Sequence, residues 1–346
     1  MPPVIPRLSA SDQGLLKSNH GREVGISHPN SPDKTAFDRR AIPPDARESR
    51  WRAPDGHAIR RIDWPQPASS RRGSLLFLPG RGDAYEKYLE TLEHWRRQGW
   101  RVTALDWRGQ AGSGRLGADA VTGHVDDFTR WTADLTAFWE EWSIAGNGPL
   151  VLAGHSMGGH LVLRAVADRQ VRPAALVLSA PMLGFLPDWL PLSVQRAWAG
   201  AMCRVGDPRR AAWKWSEKPG EIPRNRIELL THDADRYADE LWWREARPGL
   251  AMGTGSWGWV AAALRSMNVL GRPGQLEAID MPVLLLAAAH DRLVSFLAIR
   301  RAAARLPKSE LVVFGPEARH ELLRECDAVR DKALAMIDRF LDRLGV

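Results

Sequence analysis

The feature that most constrains this chain is a serine set between a strand-like run and a helix-like stretch. Residues 150–153 (LVLA) are apolar, residues 154–159 read GHSMGG, and residues 161–166 (LVLRAV) have helical periodicity. Strand, tight turn and helix in this order hold a serine hydroxyl at the end of a sheet. The three glycines of the turn let a strained backbone close and let the helix pack tightly. We therefore predict that Ser156 is a nucleophile.

The helix predicted to start at Met157 strengthens this interpretation. Its free N–H groups and the positive end of its dipole would point toward Ser156, which favours an oxyanion there. The pattern G-x-S-x-G alone has little specificity in a glycine-rich chain, but the flanking strand and helix add specificity. The alternative is a glycine turn around a buried serine that has no chemical role.

A serine nucleophile needs a general base and a carboxylate that orients the base, and both occur downstream. Residues 282–289 (PVLLLAAA) predict a buried strand, and Asp291 lies just past its end. Residues 310–314 (ELVVF) predict a further strand, and the loop after it carries His320. The order Ser156, Asp291, His320 is that of α/β-hydrolases. The alternative for His320 is a loop histidine without a chemical role.

Two more positions near the serine have expected roles. His155 occupies the variable position of the turn, and we expect it to point away from the nucleophile and to be a packed neighbour. Residues 74–82 (SLLFLPGRG) predict a strand and a loop, whose Arg81 N–H would join the Met157 N–H in an oxyanion hole. The alternative for this loop is a plain strand-to-helix turn.

Together these residues resemble an α/β-hydrolase of the monoacylglycerol lipase and lysophospholipase group, whose domain is also called serine aminopeptidase-like. The resemblance extends from about residue 45 to the end, and three further segments carry it: 78–82 (LPGRG), 106–113 (DWRGQAGS) and 123–128 (GHVDDF). It implies an α/β-hydrolase fold with a doubly wound, mostly parallel sheet and a helical cap insertion.

The order of the predicted elements supports that fold. A hairpin is expected around Asp55-Gly56, and strands are expected near 75–79, 101–105, 149–154, 174–179, 282–288 and 310–314. We predict an extended N-terminal arm over residues 1–45, which are proline-rich and polar. A hydrolase core over 46–181 and 277–346 would hold the site, and residues 182–276 would form a helical, Trp-rich cap.

The predicted cap contains half of the chain's 16 tryptophans. They are Trp189, Trp198, Trp213, Trp215, Trp242, Trp243, Trp257 and Trp259. Large flat apolar side chains above a serine site suit an acyl chain, and tryptophan is also favourable at a lipid interface. The alternative is ordinary packing of the cap onto the core.

Composition excludes several classes of protein. Residues 1–45 contain no continuous apolar segment of the signal-peptide type, and no run of about 18 apolar residues predicts a membrane span. Two widely separated cysteines favour neither a disulfide framework nor a metal site, so a cytoplasmic location is expected. The net charge of +7 comes from scattered arginines, which do not predict nucleic-acid binding. Such charges are typical of a solvated surface, and they also permit weak peripheral attraction to an anionic membrane.

These observations predict a serine hydrolase that cleaves a carboxylic ester of a single-chain lipid, a monoacylglycerol or a lysophospholipid. The chemistry needs no cofactor and no metal, and we interpret His124, Asp126 and Asp127 as a helix entry with capping, because they lack a metal-ligand spacing. A general carboxylesterase, an acyltransferase and an aminopeptidase-like amidase could use the same residues. A non-enzymatic binding protein is disfavoured because Ser156, Asp291 and His320 are all present. The head group, the acyl-chain length and the oligomeric state stay open.

Overall fold

Short apolar runs of the sequence form the strands of one mixed sheet. The computed structural model describes residues 37–65, 72–146, 148–213, 224–343 and 345. The strands are β1 (Arg47–Arg52), β2 (Ala58–Trp64), β3 (Gly73–Leu78), β4 (Trp100–Leu105), β5 (Leu150–His155), β6 (Ala175–Ser179), β7 (Val283–Ala288) and β8 (Ser309–Phe314). Their order across the sheet is β1-β2-β4-β3-β5-β6-β7-β8.

Helices occupy most of the segments between these strands. They are α1 (Leu89–Arg97), α2 (Thr129–Ile144), α3 (Met157–Ala167), α4 (Leu192–Arg204), α5 (Arg224–Leu230), α6 (Ala234–Ala246), α7 (Trp257–Leu270), α8 (Phe296–Arg305) and α9 (Asp327–Arg343). Short 3-10 turns occur at Tyr85–Tyr88, Pro248–Leu250 and Leu322–Arg324.

Within the described sheet, β2 is the one strand whose direction is opposite to that of all the others. β1 and β2 form a hairpin in which Arg52 pairs with Ala58, and β2 is also antiparallel to β4. From β4 to β8 every neighbouring pair is parallel. All residues of β3, β6 and β7 are buried, as expected for parallel strands that are covered on both faces. The predicted hairpin and the six predicted strands are confirmed.

Helices cover both faces of the sheet. Leu76 of β3 packs in the same apolar core as Leu161 of α3. Phe77, the next residue, points to the opposite face, where its ring centroid lies 5.8 Å from that of Trp95 in α1. The sheet is therefore doubly wound, and the predicted α/β-hydrolase fold is confirmed.

The interval between β6 and β7 departs from the strand–helix alternation. Its described residues form α4 to α7. Residues 1–36 of the predicted arm and 214–223 of the predicted cap, including Trp215, lie outside the described residues. Arg39 and Arg40, near the end of the predicted arm, each contact Asp239 of α6 at 2.6 Å. No helix in the described ranges is both long and apolar enough to cross a bilayer.

Candidate active site

Ser156 lies on a strained turn between β5 and α3. Its φ of 51° and ψ of −117° fall outside the regions that L-residues commonly adopt. The turn is held by the Ser156 N–H, which donates to the carbonyl oxygen of Ser179 at 2.9 Å. A Cβ on Gly158 would lie 2.3 Å from the carbonyl oxygen of Leu78, so glycine is required where α3 approaches the end of β3. The predicted role of this glycine in close packing is confirmed.

The three residues predicted from chain order meet in one hydrogen-bonded chain. The Oγ of Ser156 lies 2.9 Å from His320 Nε2, and His320 Nδ1 lies 2.7 Å from Asp291 Oδ2. An ionised carboxylate can only accept, so Nδ1 carries the proton and Nε2 is free to accept from the serine hydroxyl. They meet because β5, β7 and β8 are parallel and all end at the same edge of the sheet.

The carboxylate of Asp291 is fixed in orientation and kept ionised. Its Oδ1 accepts from the backbone N–H groups of Leu293 at 2.8 Å and Val294 at 3.1 Å. Burial opposes the charged form, but His320 and these hydrogen bonds hold the pKa of Asp291 below its ordinary value. For His320, burial alone would lower the pKa, but the charge and hydrogen bond of Asp291 raise it above 6.5. The arrangement therefore strengthens the histidine as a base.

The expectation that His155 points away from the site is wrong. It is a packed, buried neighbour, but its ring centroid lies 4.8 Å from that of His320, and it lines the same cavity as Ser156. Burial and the nearby His320 lower the pKa of His155 to about 4. The side chain is thus neutral at pH 7 and adds no positive charge beside His320.

Two backbone N–H groups near Ser156 are not used in hydrogen bonds within the described residues, as donors of an oxyanion hole require. Met157 is the first residue of α3, so its N–H has no acceptor inside the helix. Among the hydrogen bonds of the described residues, none uses the N–H of Arg81. The loop is fixed beside it, because the Gly80 N–H donates to Asp83 Oδ2 at 3.1 Å.

Sequence reasoning missed a buried ionic cluster next to this loop. Lys87 Nζ lies 2.5 Å from Asp83, 2.6 Å from Glu321 and 3.1 Å from Glu240. The charge of Arg324 pairs with Glu240 and Glu321. The i,i+4 spacing of Asp83 and Lys87 after the glycine loop was the available signal. The cluster ties this loop and the segment after His320 to α6.

The site opens into a cavity of about 910 Å³. Ser156 and His320 line it together with many apolar side chains, among them Phe185, Leu190 and Val260. Of the predicted cap tryptophans, four also line it: Trp198, Trp213, Trp257 and Trp259. The cavity is therefore large and mainly apolar, with charged groups restricted to a few positions.

The remaining cap tryptophans in the described ranges do not line this cavity. Trp189 is 79% exposed, and Trp242 and Trp243 pack edge to face at a centroid distance of 5.0 Å. These three tryptophans therefore lie at the surface or pack against each other, and they do not shape the cavity.

His124, Asp126 and Asp127 make contacts that hold the structure together. His124 contacts Ser256 Oγ at 2.7 Å and Asp126 at 2.8 Å, and Asp127 accepts from the N–H of Thr129, the first residue of α2. The described ranges contain no group of three or more His, Cys, Asp or Glu side chains arranged to hold a metal ion.

Comparison with known proteins agrees with this fold. Residues 69–327 match the family model Hydrolase_4, described as serine aminopeptidase, S33. Lysophospholipase L2 of Escherichia coli K12 is 32% identical over 284 residues, which cover 78% of this chain and 80% of that protein. Probable lysophospholipase L2 of Haemophilus influenzae is 25% identical over 80% of this chain and 86% of its own length.

Solved structures of lipases share the fold. A soluble variant of monoglyceride lipase from Saccharomyces cerevisiae has a TM-score of 0.69 at 18% identity, covering 91% of this chain and 99% of that one. Paleococcus ferrophilus monoacylglycerol lipase has a TM-score of 0.64 at 22% identity, covering 82% and 98%. The family match and the E. coli relative show that the chain belongs to the serine aminopeptidase S33 family of α/β-hydrolases, in the monoacylglycerol lipase and lysophospholipase group.

Proposed function

We propose that this protein hydrolyses the carboxylic ester of a single-chain lipid, a monoacylglycerol or a lysophospholipid, through an acyl-enzyme on Ser156. The observation that carries the proposal is the hydrogen-bonded chain of Ser156, His320 and Asp291 beside a mainly apolar cavity. Relatives named lysophospholipase and neighbours named monoacylglycerol lipase support this class of substrate.

In the acylation step, Ser156 Oγ attacks the ester carbonyl carbon while His320 Nε2 takes the hydroxyl proton. Asp291 holds the imidazole and stabilises its positive charge. The N–H groups of Arg81 and Met157 donate to the oxyanion of the tetrahedral intermediate. When the bond to the leaving oxygen breaks, His320 gives its proton to the departing alcohol.

In the deacylation step, water takes the place of the alcohol. His320 Nε2 removes a proton from the water, whose oxygen attacks the acyl carbon. The second tetrahedral intermediate collapses, Ser156 leaves and regains the proton from His320, and a fatty acid is released. The side chains supply every proton transfer in this sequence.

We further propose that residues 182–276 act as a cap that binds the acyl chain and meets a lipid surface. In α4 and the loop before it, Trp189, Val194 and Trp198 are 79%, 49% and 63% exposed. Val194 and Trp198 also line the cavity. The sequence of α4 contains Arg196 and Arg204 but no carboxylate, which favours an anionic surface.

A substrate panel tests the proposed function. Monoacylglycerols, lysophospholipids, p-nitrophenyl esters and aminoacyl amides would be compared by kcat/KM, with product analysis to separate hydrolysis from transfer to another alcohol. We expect hydrolysis of the lipid esters with release of free fatty acid. Cleavage of the amides alone would overturn the proposal.

A further inference from the structure

The guanidinium of Arg81 is a half-buried charge with an unusual environment. Its Nη1 donates to the carbonyl oxygen of Gly253 at 2.9 Å, and its Cζ lies 5.4 Å from the ring centroid of Trp213 and 5.3 Å from that of Trp259. The ion pairs found in the described part of the chain do not include Arg81. Two indole rings and one carbonyl therefore hold this cation in the wall of the cavity that contains Ser156.

A second cation, Arg226 of α5, lines the same cavity. Burial and the charge of Arg226 together lower the pKa of Arg81 to about 10, so Arg81 is still protonated at neutral pH. Arg226 is itself paired with Glu240 at 2.7 Å, and it still acts on Arg81 as a neighbouring positive charge. An anion in the cavity would relieve the repulsion between the two guanidinium groups.

The carboxylates that line this part of the cavity are already engaged. Asp83 contacts Lys87 and accepts from the Gly80 N–H, and Glu321 contacts Lys87 and Arg324. The charge of Asp83 partly offsets that of Arg81, but the hydrogen bonds of Asp83 go to other donors, and the Arg81 guanidinium itself donates to a neutral carbonyl. The cavity wall thus favours an anionic ligand group over a cationic one.

Phosphate is the anion that fits both the charge and the position. Guanidinium binds phosphate through paired, charge-assisted hydrogen bonds. The backbone N–H of Arg81 is a proposed oxyanion donor. The guanidinium of the same residue therefore lies no further from the reacting carbonyl than an arginine side chain can reach. One glycerol unit separates the ester carbonyl from the phosphate of a lysophospholipid, a comparable span. A monoacylglycerol has only a neutral hydroxyl there.

We propose that Arg81 and Arg226 bind the phosphate of a lysophospholipid and make the site selective for phosphate-bearing single-chain esters over neutral monoacylglycerols. The proposal rests on the proposed ester hydrolysis at Ser156, and it adds the residues that choose the head group. Because it concerns selectivity, its readout is a ratio between two substrates.

The test compares kcat/KM for a lysophosphatidylglycerol and a monoacylglycerol with the same short acyl chain, both monomeric in solution. Arg81→Gln keeps the backbone N–H and removes the charge, so the ratio of the two kcat/KM values should fall by about 10- to 100-fold. Arg226→Gln should also lower the ratio of the two kcat/KM values. Arg300→Gln, on the exposed face of α8, is the matched control and should keep the wild-type ratio. An equal loss on both substrates, or an unchanged ratio in the Arg81 variant, would overturn the inference.

A competition experiment on the wild type does not depend on any variant. sn-Glycerol 3-phosphate should competitively inhibit hydrolysis of a short p-nitrophenyl ester at concentrations where glycerol does not. Inhibition by neither compound, or equal inhibition by both, would contradict a phosphate site while the proposed esterase activity stands. A wild-type enzyme that hydrolyses none of these esters would instead overturn the proposed function and the inference with it.

Discussion

Replacing Gly158 with alanine tests whether the close contact at the serine turn is required. The new methyl would lie 2.3 Å from the carbonyl oxygen of Leu78 and 2.4 Å from that of Pro79, about 1 Å inside ordinary van der Waals contact. Overpacking typically costs about 1 to 3 kcal/mol, and two backbone contacts this short place the cost near 3 kcal/mol. Alanine in a helix gains up to about 1 kcal/mol over glycine. The expected net loss is therefore about 2 kcal/mol.

The matched control is Gly200→Ala in α4, where the nearest atom beyond the helix backbone is an Arg204 nitrogen at 3.8 Å. Helix propensity alone acts there, so this variant should be unchanged or stabilised by up to about 1 kcal/mol. Urea unfolding of both variants gives the two free energies of unfolding. Gly158→Ala should also lose activity beyond its lost stability, because the contact sets the distance between α3 and the loop of Arg81. If Gly158→Ala is as stable as Gly200→Ala, the close approach is not a constraint and the reasoning fails.

Three further predictions concern pH, the acyl chain and the lipid surface. Since neutral His320 is the base and Asp291 raises its pKa, activity should increase with pH around a midpoint above 6.5. Asp291→Asn should lower turnover by about four orders of magnitude, and the pH profile of the remaining activity should have its midpoint at lower pH than in the wild type. An unchanged midpoint would contradict this. Trp198→Ala should reduce kcat/KM for long-chain esters by the equivalent of about 1 to 3 kcal/mol and spare acetate esters, whereas the control Trp242→Ala should keep the wild-type chain-length profile. Trp189→Ala should weaken sedimentation with anionic vesicles, and equal binding by wild type and variant would remove Trp189 from the proposed lipid surface.

The sequence allowed prediction of the strands and of the order of the three residues, for a local physical reason. Apolar runs of strand length mark β5, β7 and β8, and parallel strands bring their carboxyl ends to one edge. Ser156, Asp291 and His320 each follow one of these runs. The three side chains therefore come together because the strands that precede them are parallel, and those strands can be predicted from their apolar runs.

Other parts of the site depend on contacts between distant segments. Glu240 of α6 joins Lys87 only after the insertion between β6 and β7 has packed onto the core. The direction of His155 was inferred from alternation along β5, but the loop of His320 comes from β8 and contacts both His155 and Ser156. Local patterns carry no information about such encounters, so neither could be derived from them.

Covalent labelling by a fluorophosphonate tests the central claim most directly. The account predicts a single adduct, mapped by mass spectrometry of peptides to Ser156, with loss of ester hydrolysis in proportion to labelling. Ser156→Ala should fold, resist the probe and lower turnover by about three or more orders of magnitude. An adduct on another residue, or undiminished labelling and turnover in the alanine variant, would contradict the assignment of Ser156 as the nucleophile.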